Sequence, residues 1–296
     1  VNRFTPTAQG ILYMLAAIFL FSAMDALAKL LTGRFDVLQV VWARYAGQTL
    51  VVMAVLAPRL RLLIRTRHLG LQLLRSGFLF AATVCFFTSL SFMEIASATA
   101  VMNIHPVLLT LGAALILREA LGPRRIFGIA AAMTGALIII RPGSDVFTLA
   151  ATLPLLGGVF YASYALSTRF LGRDEGILTS FLYTALIGTV VASAIVPFVW
   201  TPPDLADLGL FLLLGMVGAG GQFLLIKSLT VAEAGAVAPF GYAGVIFATL
   251  WGLFAFGERP DAMTILGALV IIGAGVYVWH RETRARRAPL AAPSAR

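Results

Sequence analysis

Ten stretches of this chain, each about the length of a membrane span, carry almost no charge, and that limits the fold more than any other feature. They are Gln9–Leu31, Val37–Leu56, Leu71–Phe92, Ser97–Leu117, Ile126–Ile140, Leu149–Phe170, Thr179–Val199, Leu205–Ile226, Ala234–Phe256 and Thr264–Trp279. An α-helix of about 20 apolar residues crosses the hydrocarbon core of a bilayer. These runs are apolar all round, whereas strands of a membrane barrel would alternate apolar and polar residues. The chain is 60% hydrophobic and 12% charged, against roughly 45–50% and 25% in a soluble domain. A soluble enzyme and a disordered chain are both excluded. The fold class is therefore an all-α integral membrane protein with ten transmembrane helices. The loops between the runs are too short for an extramembrane domain, and the first run is too long for the apolar region of a cleavable signal.

Basic residues orient such a chain. The net charge is +9, from 22 Lys and Arg against 13 Asp and Glu. These cations lie in short gaps between apolar runs, which marks them as topology determinants beside anionic lipid and not as a nucleic-acid surface. Arg3, Arg59, Arg61, Arg65, Arg67, Arg75, Arg118, Arg124, Arg125, Arg169, Arg173, Lys227, Arg281, Arg284, Arg286, Arg287 and Arg296 fall on one side, seventeen in all. Lys29, Arg34, Arg141 and Arg259 fall on the other. The expectation is a bacterial inner-membrane protein with both termini cytoplasmic. The basic stretch 282–296 reads as a disordered cytoplasmic tail.

The chain also repeats itself. A shift of 139 residues carries Glu94 onto Glu233, Glu119 onto Glu258, Ile126 onto Ile265 and Gly128 onto Gly267. A shift of 140 carries Phe21 onto Tyr161, Lys29 onto Arg169 and Val37 onto Ile177. The units are 1–145 and 146–281. Each holds five runs, and an odd number forces the second unit to enter the membrane in the opposite sense. Inverted repeats give a chain two pseudo-equivalent arrangements, open to opposite sides, around a site near the midplane.

Ionisable and polar groups inside the runs are the functional candidates. Asp25 lies in the first run, with Lys29 one turn later on the same face. Arg44 lies roughly 10 Å into the second run, at the depth of Asp25. Asp25 can pair with Lys29, bridge to Arg44 or carry a proton. Arg44 can serve that bridge or bind a substrate carboxylate, and the bridge is the preferred reading. Asn103 and His105 precede Pro106 in the fourth run. The same shift places Asn103 on Tyr242 in the ninth, beside Pro239. Helices broken at matching places point to a binding site. Gln222 follows Gly218, Gly220 and Gly221, which allow close helix approach. Phe21, Tyr161 and Tyr164 lie near mid-depth and suit an aromatic wall for apolar cargo. The expected substrate-binding set is Gln222, Asn103, His105, Tyr242, Tyr161, Tyr164 and Phe21, with Asp25, Lys29 and Arg44 as a gate or charge pair. Glu119 and Glu258 end their spans, where a charge is cheap, and read as structural signatures.

The residues Leu117-Arg118-Glu119-Ala120-Leu121 with Gly128 and Gly135, and Phe256-Gly257-Glu258-Arg259-Pro260 with Gly267 and Gly273, resemble the EamA family of the drug/metabolite transporter superfamily. The resemblance covers residues 9–280. Within the family it is nearest to the YddG-type exporters of amino acids and related metabolites. It implies a basket of helices around a central cavity, lined by the first four spans of each half, and it implies export.

No nucleotide-binding loop, hydrolase motif or metal-binding cluster is present, and the single Cys85 excludes an internal disulfide. No cofactor, metal or catalytic residue is expected. Phosphorylated cargo would want several cations at the midplane, and only Arg44 is deep. The expectation is a secondary transporter, acting as a monomer among membrane lipids, that exports amino acids or similar neutral amphiphilic metabolites by alternating access. A multidrug or cationic-metabolite antiporter and a membrane-embedded enzyme stay open as alternatives.

Overall fold

Polar capping residues stand at several of the points where an apolar run begins. The Thr5 hydroxyl accepts from Ala8 N, ahead of Pro6 in the first turn. Asp36 accepts from Leu38 N at 2.8 Å. Asp204 and Asp207 form a reciprocal capping box. Each satisfies backbone donors that a helix start leaves open. The result is a computed structural model that describes residues 5–117, 123–141, 149–171, 175–232 and 237–287.

The described elements are all helical. They are α1 (Pro6–Thr32), α2 (Val37–Leu56), α3 (Leu60–Leu63), α4 (Leu69–Leu90), α5 (Ile95–Met102), α6 (His105–Leu117), α7 (Pro123–Ile140), α8 (Leu153–Leu171), α9 (Ile177–Ile195), α10 (Leu205–Val231), α11 (Ala243–Phe256) and α12 (Ala262–Arg287). Four stretches, Ala8–Thr32, Leu69–Leu90, Leu178–Phe198 and Leu205–Ser228, are long and apolar enough to cross a membrane by length and composition. The fourth and ninth runs are interrupted, as their prolines and glycine suggest. The fourth breaks at Asn103–Ile104 between α5 and α6, with Pro106 as the second residue of α6, where its missing donor does no harm. The ninth has a 3-10 turn, Ala238–Tyr242, before α11.

Along its length α1 packs on α10 and α11, and α4 packs on α8 and α9. Helix α2 contacts α9 and α10, α7 pairs with α12, and α5 touches α8 and α11. One core cluster joins α1, α2, α4, α5, α10 and α11 around Tyr45, Phe87, Leu90 and Leu214. A second gathers Val101, Ile104, Ala136 and Ile271. Large apolar side chains also face outward: Phe198 and Leu205 are 86% exposed and Phe254 is 80% exposed. In water such a surface would drive aggregation. Against lipid tails it is neutral, so packing must come from close approach.

Glycines supply that approach. A Cβ on Gly47 of α2 would stand 2.9 Å from the Gly215 Cα of α10. A Cβ on Gly135 of α7 would stand 2.9 Å from the Gly267 carbonyl of α12.

The ends of the bundle are tied by polar contacts. At one end, called here the Lys29 end, Arg34 pairs with Asp207 at 2.6 Å. The Gln39 amide donates to Thr201 O at 2.7 Å and accepts from Thr201 N at 2.9 Å. Arg141 pairs with Asp261, which also caps α12 by accepting from Thr264 N at 2.8 Å. At the opposite end Glu175 accepts from the Thr66 hydroxyl at 2.8 Å and from Arg67 N at 2.7 Å.

Two predictions follow from this packing. Gly47→Leu should separate α2 from α10 and destabilise the protein by about 1–3 kcal/mol. Gly209→Ala, which meets open space, should not. Thermal unfolding of the purified variants in detergent measures both. The second concerns acid. The Arg141 hydrogen bond, then the Thr264 N–H, hold the Asp261 carboxyl down at about 2. Its unfolded value is about 3.9. The stability it adds is therefore full above about pH 4 and lost as the pH falls through 2. Asp261→Asn should shrink the drop in melting temperature between about pH 4 and pH 2. The change is small, because the pair is solvent-screened.

Candidate functional site

Helices α1, α2, α4, α5, α8 and α10 surround a cavity of about 180 Å³ in the middle of the bundle. Helix α1 contributes Phe21, Met24 and Asp25, and α2 contributes Arg44. Helix α4 contributes Leu79, Ala82, Thr83, Phe86 and Phe87. Thr99 and Met102 come from α5, Asn103 from the break after it, His105 from the start of α6, Tyr161 and Tyr164 from α8, and Gln222 from α10. The break places side chains here because its backbone turns away from the helical ladder inside the bundle and not against lipid.

Six of the seven residues expected to bind substrate thus line this cavity: Phe21, Asn103, His105, Tyr161, Tyr164 and Gln222. Tyr242 does not. It is buried with its hydroxyl pressed on Gly275 of α12 and without a hydrogen-bond partner among the described residues. The repeat places it at the equivalent position of Asn103, but the 3-10 turn rotates it toward α12. Asp25 and Arg44 line the cavity too.

The polar groups are held firmly. The Thr83 hydroxyl donates to Leu79 O at 2.8 Å. Its oxygen then accepts from Arg44 Nη1 and from the Tyr45 hydroxyl at 3.2 Å. The Arg44 guanidinium lies 4.9 Å from the Tyr45 ring centre and 5.8 Å from that of Phe87, a favourable cation–aromatic placement. The His105 ring meets Tyr161 edge-on at 4.6 Å. Its Nδ1 lies 3.1 Å from Met102 O. Three buried polar atoms of the cavity lining, Arg44 Nε, Thr99 Oγ1 and Asn103 Nδ2, find no partner among the described residues. Such atoms are costly unless a ligand or water meets them.

The expected charge pairs are corrected. Lys29 does not pair with Asp25; its Nζ lies 2.6 Å from Glu258 Oε1 and donates to Met93 O at 2.7 Å. Nor do Asp25 and Arg44 form an ion pair, since Arg44 is drawn to Thr83 on α4 instead. Glu258 also accepts from Ile95 N, at the start of α5, at 3.0 Å. It is more than a signature: it clamps α1, α5 and the end of α11 together beside a vestibule of about 590 Å³ lined by Lys29, Glu94 and Phe256. Its counterpart Glu119 lies outside the described residues.

At the other end of the cavity stands Arg75, which sequence reasoning counted as a loop cation. It is buried in α4. Its guanidinium donates to Thr168 Oγ1 at 2.6 Å, Ser180 O at 3.0 Å, Thr184 Oγ1 at 2.7 Å and the Tyr164 hydroxyl at 2.9 Å. This shell joins α4, α8 and α9. The signal was available, because Arg75 lies four residues inside an apolar run.

The arrangement can hold a small amphiphile between aromatic rings and a few polar groups. Among the described residues no group of three or more metal-ligating side chains occurs. The family model of the EamA-like transporter family matches residues 8–141 and again 148–279. The chain is 29% identical over 272 residues to the pseudopaline exporter CntI of Pseudomonas aeruginosa, covering 90% of this chain and 94% of that one. It is 28% identical over 284 residues to a riboflavin transporter of Vibrio cholerae, covering 94% and 95%. It is 24% identical over 276 residues to an S-adenosylmethionine uptake transporter of Rickettsia bellii, covering 93% and 95%. A solved crystal structure matches with a TM-score of 0.63 at 20% identity over 94% of this chain and 99% of its own, a likeness of fold. Matched by one family over nearly its whole length, and twice within it, the chain belongs to the EamA-like transporters, multi-pass membrane proteins.

Proposed function

We propose that this transporter exports amino acids or similar net-neutral, amphiphilic metabolites across a bacterial inner membrane by alternating access. The observation that carries the reading is the central cavity, whose wall combines aromatic rings with polar atoms that no protein group satisfies. The Lys29–Glu258 clamp lies toward one end of it and the Arg75 shell toward the other. Opening one while the other holds would expose the cavity to one side at a time.

Two inverted five-helix halves, 1–145 and 146–281, are part of the proposal. The double family match supports them. So does the packing: exchange of the halves turns the α1–α10 contact into the α8–α4 contact, and α2–α9 and α7–α12 into themselves. Thr49 and Thr189, 140 residues apart, share a hydrogen bond of 2.8 Å across the α2–α9 contact. Ten spans with cytoplasmic termini place the Lys29 end outside. The basic-residue count supports this orientation even with Arg75 moved into the bundle, at sixteen against four.

The relatives' names include an exporter, a riboflavin transporter and an S-adenosylmethionine uptake transporter, and export follows the resemblance to the amino-acid exporters. One observation favours a second reading, a cationic-metabolite antiporter. Asp25 meets the cavity without an ion-pair partner among the described residues.

Proteoliposomes loaded with labelled amino acids test the function. Flux should be saturable. Gln222→Ala should weaken apparent affinity by up to about tenfold, the loss of one hydrogen bond. Leu269→Ala, on the exposed face of α12, should leave it unchanged. A panel that moves only cations would select the antiporter. Normal flux in Gln222→Ala would place the site elsewhere.

The clamp has its own test. In a Cys85→Ser background, a cysteine at Asn103 should react with an impermeant maleimide from the Lys29 end several-fold faster when Glu258→Gln is added. Equal rates would deny the clamp a gating role.

A further inference from the structure

We infer that Asp25 and Arg44 together form a head-group clamp for a dipolar ion, with the substrate carboxylate on Arg44 and its ammonium on Asp25. This deepens the reading of the cavity as the transport site and rests on it. The two side chains line the same cavity from neighbouring helices, α1 and α2. Arg44 is a permanent cation, Asp25 is an acid that ionises when a cation meets it, and the two do not close on each other. Arg44 is turned to Thr83 and braced by Tyr45 and Phe87, which fixes its fork while leaving Nε without a protein partner. Asp25 accepts no hydrogen bond from any described residue, so its oxygens remain available to a donor.

A guanidinium without a counter-ion in a membrane interior is costly, and an unpaired carboxyl there sheds its charge by taking a proton. A ligand that carries a carboxylate and an ammonium on one carbon replaces the missing ion pair by two charge-assisted ones. A ligand with only one of these groups leaves the other protein charge uncompensated. Selectivity therefore comes from the unpaired partner as much as from the paired one. Thr99 Oγ1 and Asn103 Nδ2 stand unpartnered in the same wall. Phe21, Met24, Phe86 and Tyr161 leave an apolar and aromatic space for the rest of the molecule.

Three probes with one ring and chain isolate the clamp: phenylalanine, phenethylamine and 3-phenylpropanoate. Their binding to the full-length protein in nanodiscs is measured by calorimetry, so that no transport step enters. Phenylalanine should bind at least about tenfold tighter than either single-charge probe. Arg44→Gln should reduce phenylalanine to the level of phenethylamine while leaving phenethylamine itself within about twofold. Asp25→Asn should do the same with respect to 3-phenylpropanoate. The ligand series on the unaltered protein decides the matter even where a variant fails to fold. Equal affinity for phenylalanine and either single-charge probe overturns the clamp, as does binding of none of the three. Flux of another cargo in proteoliposomes would then leave the transporter reading standing. A selective ligand series without amino-acid flux would uphold the clamp and remove the export reading.

Discussion

Lipid offers no hydrogen bonds, and the rest of this structure is arranged around that deficit. Every backbone N–H and C=O at membrane depth must be satisfied within the protein. Unbroken helices do this by themselves, which is why the outer faces of α4, α9 and α10 can be apolar. The backbone departs from the ladder at Asn103–Ile104 and at Ala238–Tyr242. The first departure is enclosed by α4 and α8, and the cavity forms against it. Binding capacity and helical irregularity thus occur together for one reason: freed polar groups need an interior, and an interior with free polar groups can hold a ligand.

The interior charges obey a second condition. Each cation is met by a different device. Lys29 meets a carboxylate, Arg75 meets hydroxyls, a carbonyl and an aromatic ring, and Arg44 meets a threonine and two rings. Arg75 shows that a guanidinium can be buried without an acid when four donors are spent on neutral acceptors and its face lies 4.6 Å from the Tyr164 ring centre.

Much of this was legible in the sequence. The apolar runs give the helices because their length and uniform hydropathy admit no other membrane structure. Six cavity residues were named from depth, from the proline and glycine breaks, and from the repeat. Partner identity was the weak point. Asp25 and Lys29 share a helix face, so their spacing predicted a pair. Glu258, more than two hundred residues away, took Lys29 instead, because the end of α11 lies over α1. Spacing along one helix ranks neighbours within it and says nothing of which other helix arrives. Tyr242 failed for a related reason. Repeat equivalence assigns a residue to a position along a span, but a 3-10 turn, with three residues per turn, changes the direction in which it faces.

The different compensation of Lys29 and Arg75 has a consequence for the medium on either side. The Lys29–Glu258 pair adjoins an open vestibule, so dissolved ions can enter and screen it. The hydroxyls and carbonyl that hold Arg75 carry no net charge and are largely buried, so ions have little to act on there. Added salt therefore weakens the Lys29–Glu258 contact while leaving the Arg75 shell as it was. On the alternating-access reading proposed above, a salt difference across the membrane would bias which way the cavity faces.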